Sequence, residues 1–459
     1  MKRKRSRKFG NTLNPENELF VIPDLEGSLD KLMSFINIVS KNIFENDPTF
    51  EFPNGVKVPL KLKNNKRIIV LGDVTDNHKY NYSVLGYINK LKEINEDTVI
   101  LIMGNRDLNK LRLPYSLRTF VPSDDSGNEF RISSWKNDYE TFIKGKDPTP
   151  IVKLQFIFEK TMGAPNYIKN LKLELKELGL PYNDSDTISF ITNEIIPMYA
   201  KYLKNSFIIY HDPITNGVYS HGSLTTKNFL KVPYSNSVNF YGVDSWISAI
   251  NKWAHDIIVD QVENEYNNLD KVLPLIEYQE PFVLNGKWTV DVDGKGISIP
   301  NSSSVVVGRP WKFDNVVANL DKMTENGIRK AFKESRANFG ILPINTEVCE
   351  VLLQNNINKM VFGHSPVGDI PFFIKTDIGG IPFYTVACDT TYVSHKDRIG
   401  IIRITPTNIR VEADFIKVLK YVQDSSIEDG KGKMNGSDVS ISYKLSEAGV
   451  PIPEVRTGG

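Results

Sequence analysis

The chain has 459 residues, of which 40% are hydrophobic and 24% charged, enough apolar material for one large domain or two to three smaller ones. A net charge of +1 names no partner, and no apolar run approaches the ~18 residues of a membrane span. With only two cysteines, Cys349 and Cys388, a disulfide framework is excluded and a reducing compartment fits, so a soluble cytoplasmic protein is expected.

Six of the first eight residues are Lys or Arg, and the rest of the chain is slightly acidic. This tip, within a disordered segment over 1–17, reads as a loose end, a nuclear address or a nucleic-acid contact. No apolar stretch follows it, so it is not a secretory signal. Leu19 to Pro23 is a short apolar strand that runs into Asp24-Leu25-Glu26-Gly27. Ser28 can then cap a helix whose apolar residues, from Leu29 to Ile43, recur at helical spacing. Lys66 to Asn77 repeats the design: Ile68 to Leu71 forms a buried strand, Gly72 breaks it, and Asp73 and Asp76 follow. A third unit has its strand over Thr98 to Met103 and ends in Gly104-Asn105-Arg106-Asp107. Three strand-loop-helix units in a row predict a parallel sheet with all three polar loops at one edge.

Helices are expected over 151–163, 166–179 and 186–205, the last kinked by Pro197, within a helical insertion spanning 108–205. Strands return at 206–210 and at 218–220, which ends at His221-Gly222. A helix covers 244–264, with Trp246 and Trp253 on its core face. Residues 265–303 are poorly patterned, with turns at Asn285-Gly286 and Asp293-Gly294, inside a second insertion at 225–303. Ser304 to Val307 reads as a strand before Gly308-Arg309, Thr346 to Asn356 as a helix, and Met360 to Phe362 as a strand before Gly363-His364-Ser365-Pro366. Strands at 371–376, 381–388, 399–404 and 408–414 suggest a second, antiparallel sheet packed on the first. Residues 424–459 have the composition of a loosely held tail.

Five loops share one design, an apolar strand and then Asp, His or Asn beside Gly: PDLEG, GDVTD, GNRD, SHG and GHSP. Each alone reads as a turn or a core histidine. Together and in this order they resemble the blocks of the calcineurin-like metallophosphoesterase superfamily. The short last block, with Pro366 where many members carry a second His, looks most like the phosphoprotein-phosphatase branch. The resemblance implies an α/β fold over 18–423, a β-sandwich of two mixed sheets flanked by helices. It implies two divalent metal ions, Mn²⁺ first with Fe or Zn as the other candidates. Asp73 would bridge them, Asp24 and Glu26 would hold the first, and Asn105, His221 and His364 the second. His78, His211, His255 and His395 match no block and read as structural.

Two positions depart from the pattern. Glu26 stands where the family has His; as an oxygen ligand it would favour a hard ion. Arg106 stands where the family has the His that protonates the leaving group. An Arg cannot act as an acid, but its planar fork can clamp phosphate oxygens. Arg112 and Arg309 are further candidates for that contact. Asp76 would pair with Arg106, and Asp107 is left as a candidate proton donor. The expected activity is hydrolysis of phosphate monoesters, with phosphoproteins as the first substrate class and nucleotides or nucleic-acid ends as the second. A silent scaffold of the same fold is the reading from another class. The oligomeric state is not legible.

Overall fold

The computed structural model describes residues 17–119, 133–233, 242–263, 269–279, 289–292, 295–298, 303–308, 344–365, 371–389, 401–405, 408–413, 439–445 and 451–457. The basic tip, Asn285-Gly286, Arg309, Pro366 and His395 lie outside them.

In chain order, β1 (Glu18–Ile22) leads into α1 (Leu29–Ile43), and the Lys31 amide donates to Ser28 Oγ, the expected cap. A hairpin follows, β2 (Thr49–Glu51) and β3 (Lys57–Pro59), with Asn54-Gly55 between the strands. Then come β4 (Lys66–Val70), α2 (Asn81–Ile94), β5 (Val99–Ile102) and the short α3 (Asn105–Asn109). Strands β1, β4 and β5 pair in parallel, so the loops carrying Asp24, Asp73 and Asn105 leave the same edge of the sheet.

Residues 108–205, expected to be helical, hold α4 (Leu113–Thr119), α5 (Ser133–Ile143), α6 (Pro150–Phe156), α7 (Tyr167–Glu177), α8 (Asp184–Phe190) and α9 (Ile196–Lys204). A π-turn at Ile191–Ile195 joins α8 to α9 just before Pro197, so the chain widens its helix instead of breaking it where the proline cannot donate.

Residues 206–210, expected as one strand, are two: β6 (Ser206–Phe207) closes the first sheet and β7 (Ile209–Asp212) opens the second. After β8 (Gly217–Ser220) come α10 (Val243–Glu263) and α11 (Leu269–Gln279), the latter a helix within the stretch that appeared poorly patterned. Pro274 lies inside it and masks its periodicity. Strands β9 (Thr289–Val292) and β10 (Lys295–Ser298) pair antiparallel, and Asp293-Gly294, where a turn was expected, lies outside the described residues. Residues Val305 to Val307 are buried but form a turn, which corrects the strand expected at 304–307. Its place is set by backbone contact: the Ser223 amide donates to Gly308 O at 2.7 Å, and a Cβ on Gly222 would lie 2.6 Å from the Gly308 nitrogen.

The chain ends with α12 (Thr346–Gln354), β11 (Lys359–Phe362), β12 (Phe372–Ile378), β13 (Ile381–Ala387), β14 (Ile401–Ile404), β15 (Asn408–Ala413), β16 (Val439–Leu445) and β17 (Pro451–Thr457). The first sheet has the order β17-β16-β15-β14-β1-β4-β5-β6 and the second β12-β13-β11-β8-β7; both are mixed. The four strands between 371 and 414 were expected to share the second sheet. Instead β14 pairs antiparallel with β1 and carries β15 into the first. Two strands, β16 and β17, extend that sheet within the segment whose composition suggested a loose tail.

Period-two alternation sorts the two cores. Leu19, Val21, Ile69, Leu71, Ile100 and Ile102 face the second sheet and meet Tyr219, Val361, Tyr384 and Val386. Phe20, Ile22, Ile68, Val70, Val99 and Leu101 join the larger core of the helices. Each such fully buried side chain contributes roughly 1.5–3 kcal/mol. Buried on both faces, the central strands read as continuous apolar runs, and this identifies them in the sequence.

Candidate metal centre

Parallel pairing places the polar loops together. Asp73 follows β4, Asn105 follows β5, His221 follows β8 and His364 follows β11, and β8 and β11 are parallel neighbours. The loops pack backbone to backbone. A Cβ on Gly104 would lie 2.1 Å from the Asp73 nitrogen, and one on Gly363 would lie 2.2 Å from Asp24 Oδ1, so glycine is required at both. Four candidate site residues hold positive φ: Glu26 at 51°, Asp73 at 48°, Asp76 at 143° and His364 at 57°. Such strain persists where the surroundings over-determine it, as functional loops do.

The ligand atoms of Asp73, His221 and His364 lie within 4.8 Å of one another, and all three residues are buried. His221 Nδ1 is 2.8 Å from Leu71 O, so that nitrogen carries a proton and donates it to the carbonyl. Nε2 then faces Asn105 Oδ1 at 3.0 Å and Asp73 Oδ1 at 3.3 Å. On a neutral ring this nitrogen presents a lone pair, and three electron-rich atoms converge. A cation is what such a convergence lacks. An imidazole held by a backbone carbonyl at its other nitrogen is also how metal-binding histidines are oriented. The residues present therefore fit a divalent ion.

The local charges show the same demand for positive charge. Burial pulls His221 down, but the Asp73 and Asp24 carboxylates outweigh it and push the imidazole up to about 10. Burial and then the Asp389 carboxylate hold Asp24 well above the ordinary carboxylate range. Asp73 stays lowered although burial opposes it, because His221 and Arg106 lie beside it.

The other half of the expected ligand set is engaged differently. Asp24 accepts the His364 amide at 3.1 Å. Glu26 accepts from Asn77 Nδ2 at 2.9 Å and pairs with Arg106 Nε at 3.2 Å. Burial raises the Glu26 carboxyl, while Arg106 and Lys31 pull it back. Arg106 also reaches Asp73 Oδ2 at 3.4 Å, Asp76 Oδ2 at 3.4 Å and the Gly163 carbonyl at 3.1 Å. The expected Asp76–Arg106 pair is thus formed. Asp76 is held from its other side by the buried Lys110 at 2.6 Å.

Asp107 departs from expectation. It is fully buried, and its carboxylate accepts the backbone amides of Asp73 at 2.8 Å, Gly104 at 3.0 Å and Val74 at 3.2 Å. These contacts brace two loops against each other and occupy both of its oxygens with backbone, where the sequence reading has it as a candidate proton donor; burial, and then the Asp73 carboxylate, push its carboxyl up to about 7. Arg112 is buried and spent on Asn109 Oδ1 at 2.7 Å and Thr161 O at 3.0 Å. His211 pairs with Asp244 at 2.7 Å, away from the centre.

Sequence reasoning missed three residues. Asp389, buried after β13, repeats the strand-then-Asp design but lacks the neighbouring Gly that marked the others. Buried Lys31 donates to Asp24 O at 3.3 Å. Lys110 carries a charge onto a face where helical spacing predicts an apolar residue.

A family model described as calcineurin-like phosphoesterase matches residues 19–249, half of the chain. The chain belongs to this family. Curated proteins include no match. The fold is similar to a cold-active protein tyrosine phosphatase (12% identity, 86% of this chain and 75% of that one, TM-score 0.38). It is also similar to the cold-active protein-tyrosine phosphatase of a psychrophilic Shewanella species (13%, 89% and 86%, TM-score 0.36). A third similar structure is a protein serine/threonine phosphatase from Saccharomyces cerevisiae (12%, 86% and 75%, TM-score 0.34). At these TM-scores the likenesses add nothing to the family match. Among the described residues no helix is long and apolar enough to cross a membrane.

Proposed function

We propose that the protein is a metal-dependent phosphomonoesterase, with phosphoproteins as its first candidate substrate class. The observation that carries this reading is the buried convergence of Asp73, His221 and His364, with Asn105 against His221. These four residues would hold a divalent ion. Two imidazoles, a carboxylate and an amide oxygen suit Mn²⁺, Fe²⁺ or Zn²⁺; Mn²⁺ is proposed first because two of the donors are hard oxygens. When bound, such an ion lowers the pKa of a coordinated water and relieves charge on the phosphoryl oxygens.

The chain's own residues supply the remainder. Arg106 is 14% exposed, where the Glu26, Asp73 and Asp76 side chains beside it are 0–4% exposed. An entering phosphate therefore meets the guanidinium first, which offers it a fixed positive charge and charge-assisted N–H donation. Asp76, Glu26 and the Gly163 carbonyl orient that guanidinium, so little side-chain entropy is lost on binding. With Arg106 unable to give a proton and both Asp107 oxygens occupied by backbone, the leaving group takes its proton from solvent. Aryl phosphates, which leave without help, are then favoured over alkyl ones.

The test is phosphate release with Mn²⁺ from p-nitrophenyl phosphate, phosphotyrosyl and phosphoseryl peptides, nucleotides and bis-p-nitrophenyl phosphate. Turnover of the monoesters, aryl before alkyl, with scarcely any of the diester is expected. Preference for the diester overturns the monoesterase reading, preference for nucleotides overturns the substrate class, and inertness toward all of them leaves a silent scaffold.

A further inference from the structure

The two departures from the family pattern, Glu26 and Arg106, are far apart in sequence and in contact in the fold, Arg106 Nε lying 3.2 Å from Glu26 Oε1. Where the family has two imidazoles, this chain has an anion and a cation touching. The Asp73 carboxylate is divided between two environments. Its Oδ1 accepts the Arg106 backbone amide at 2.9 Å and faces His221 Nε2 at 3.3 Å, on the side of the converging ligands. Its Oδ2 faces Arg106 Nε at 3.4 Å. On that second side the guanidinium lies against Glu26, Asp73 and Asp76, anchored by Gly163 O at 3.1 Å.

We propose that Arg106 is a built-in cation in place of the first metal ion, and that the protein works with a single ion held by Asp73, Asn105, His221 and His364. This rests on the metal-dependent reading above and deepens it. A divalent ion on the Oδ2 side would need Glu26 and Asp73 Oδ2 together, and the guanidinium Nε already lies between them, 3.2 Å from Glu26 Oε1 and 3.4 Å from Asp73 Oδ2. Displacing it would take from the Arg side chain, 14% exposed, two of the three carboxylates that face it, and separating a buried ion pair is strongly unfavourable. The fixed charge also serves catalysis differently from an ion: it cannot dissociate, and it presents N–H donors to phosphate where an ion presents a point charge.

The test is metal stoichiometry of the full-length protein, loaded with Mn²⁺ and desalted, with electron paramagnetic resonance on the same samples. Wild type is expected to hold about one ion per chain, with the signal of an isolated Mn²⁺, against the paired ions of two-metal sites. His221→Ala should lose it. Glu26→His with Arg106→His restores the usual family residues and should raise the count to about two, with the signal of a spin-coupled pair. Two coupled ions in wild type would overturn the role of Arg106 and leave the metal-dependent reading intact. An unchanged count in the folded double variant would also overturn it, since Arg106 would not then be what excludes the second ion. No ion in either protein would overturn both readings. The wild-type measurement stands alone if the double variant fails to fold.

Discussion

Asp107→Asn separates a brace from a proton donor. In the wild type one carboxylate oxygen, Oδ2, accepts the Asp73 and Gly104 amides at 2.8 and 3.0 Å, and the other accepts Val74 at 3.2 Å. An asparagine can keep its single oxygen on the first pair, but its NH₂ then meets the Val74 N–H donor to donor. That leaves one buried amide unsatisfied, at about 1–3 kcal/mol, and turns two charge-assisted bonds into neutral ones, at about 1 kcal/mol each. Burial, and then the Asp73 carboxylate, push the Asp107 carboxyl up to about 7, so relief of both costs when the charge is removed offsets part of this. The expected net loss is about 2–4 kcal/mol of stability. Urea unfolding followed by far-UV circular dichroism, at fixed metal concentration, measures it. The dependence of kcat on leaving-group pKa should keep its slope. A variant as stable as wild type that has lost turnover selectively on alkyl phosphates would refute the brace and restore Asp107 as the acid.

Asp73→Asn weakens the carboxylate shared by His221 and Arg106, and should lower turnover by at least ~10³-fold and lose the bound ion, with far-UV circular dichroism unchanged; near-normal turnover would refute the proposed centre. Glu174, in α7, supplies the pH test away from the centre: it is fully buried and accepts the Tyr82 and Ser83 amides at 3.0 and 2.8 Å in the first turn of α2. Burial pushes its carboxyl up to about 7, so the folded state binds a proton more tightly than the unfolded state, and wild-type stability should fall as pH rises from about 4.5 to 7. The linkage is worth up to about 3 kcal/mol, and Glu174→Gln should flatten it in unfolding titrations at several pH values; a variant with the wild-type slope would refute that shift.

The fold was legible where burial on both faces forces a continuous apolar run. β1, β4, β5, β8 and β11 were all found this way, and the site loops sit at their ends. Legibility failed where tertiary contact overrides the local pattern. Val305 to Val307 has the composition of a strand, yet the contact of Gly222 with Gly308 holds it as a turn. The apolar patterns of β14 and β15 did not say which sheet would take them, because pairing partners are not encoded in alternation. The convergence of Asp73, Asn105, His221 and His364 is readable because each sits at its own strand end. The bonding of Asp107 was not legible because a motif gives neighbours along the chain and not direction. Only the fold shows that its oxygens are already taken by three amides.

The helical segment over 108–205, which no motif explains, bears on the centre directly. Its Gly163 carbonyl receives Arg106, and Asn170 Nδ2 donates to Asn77 O at 3.2 Å beside Glu26. Tyr199 shares a hydrogen bond with Thr75, between Asp73 and Asp76. Tyr202 donates to Ile102 O at 2.7 Å, three residues before Asn105, and Glu174 caps the helix that follows the Asp73 loop. These contacts reach the backbone or neighbours of nearly every element that carries a site residue in the first half of the chain. The positive-φ loops at Glu26, Asp73 and Asp76 need such support to keep their geometry. The segment is therefore part of the scaffold of the centre and not only a wall at its entrance. A loop that merely shaped the entrance could vary freely around a working site, whereas this one fixes the orientation of Arg106.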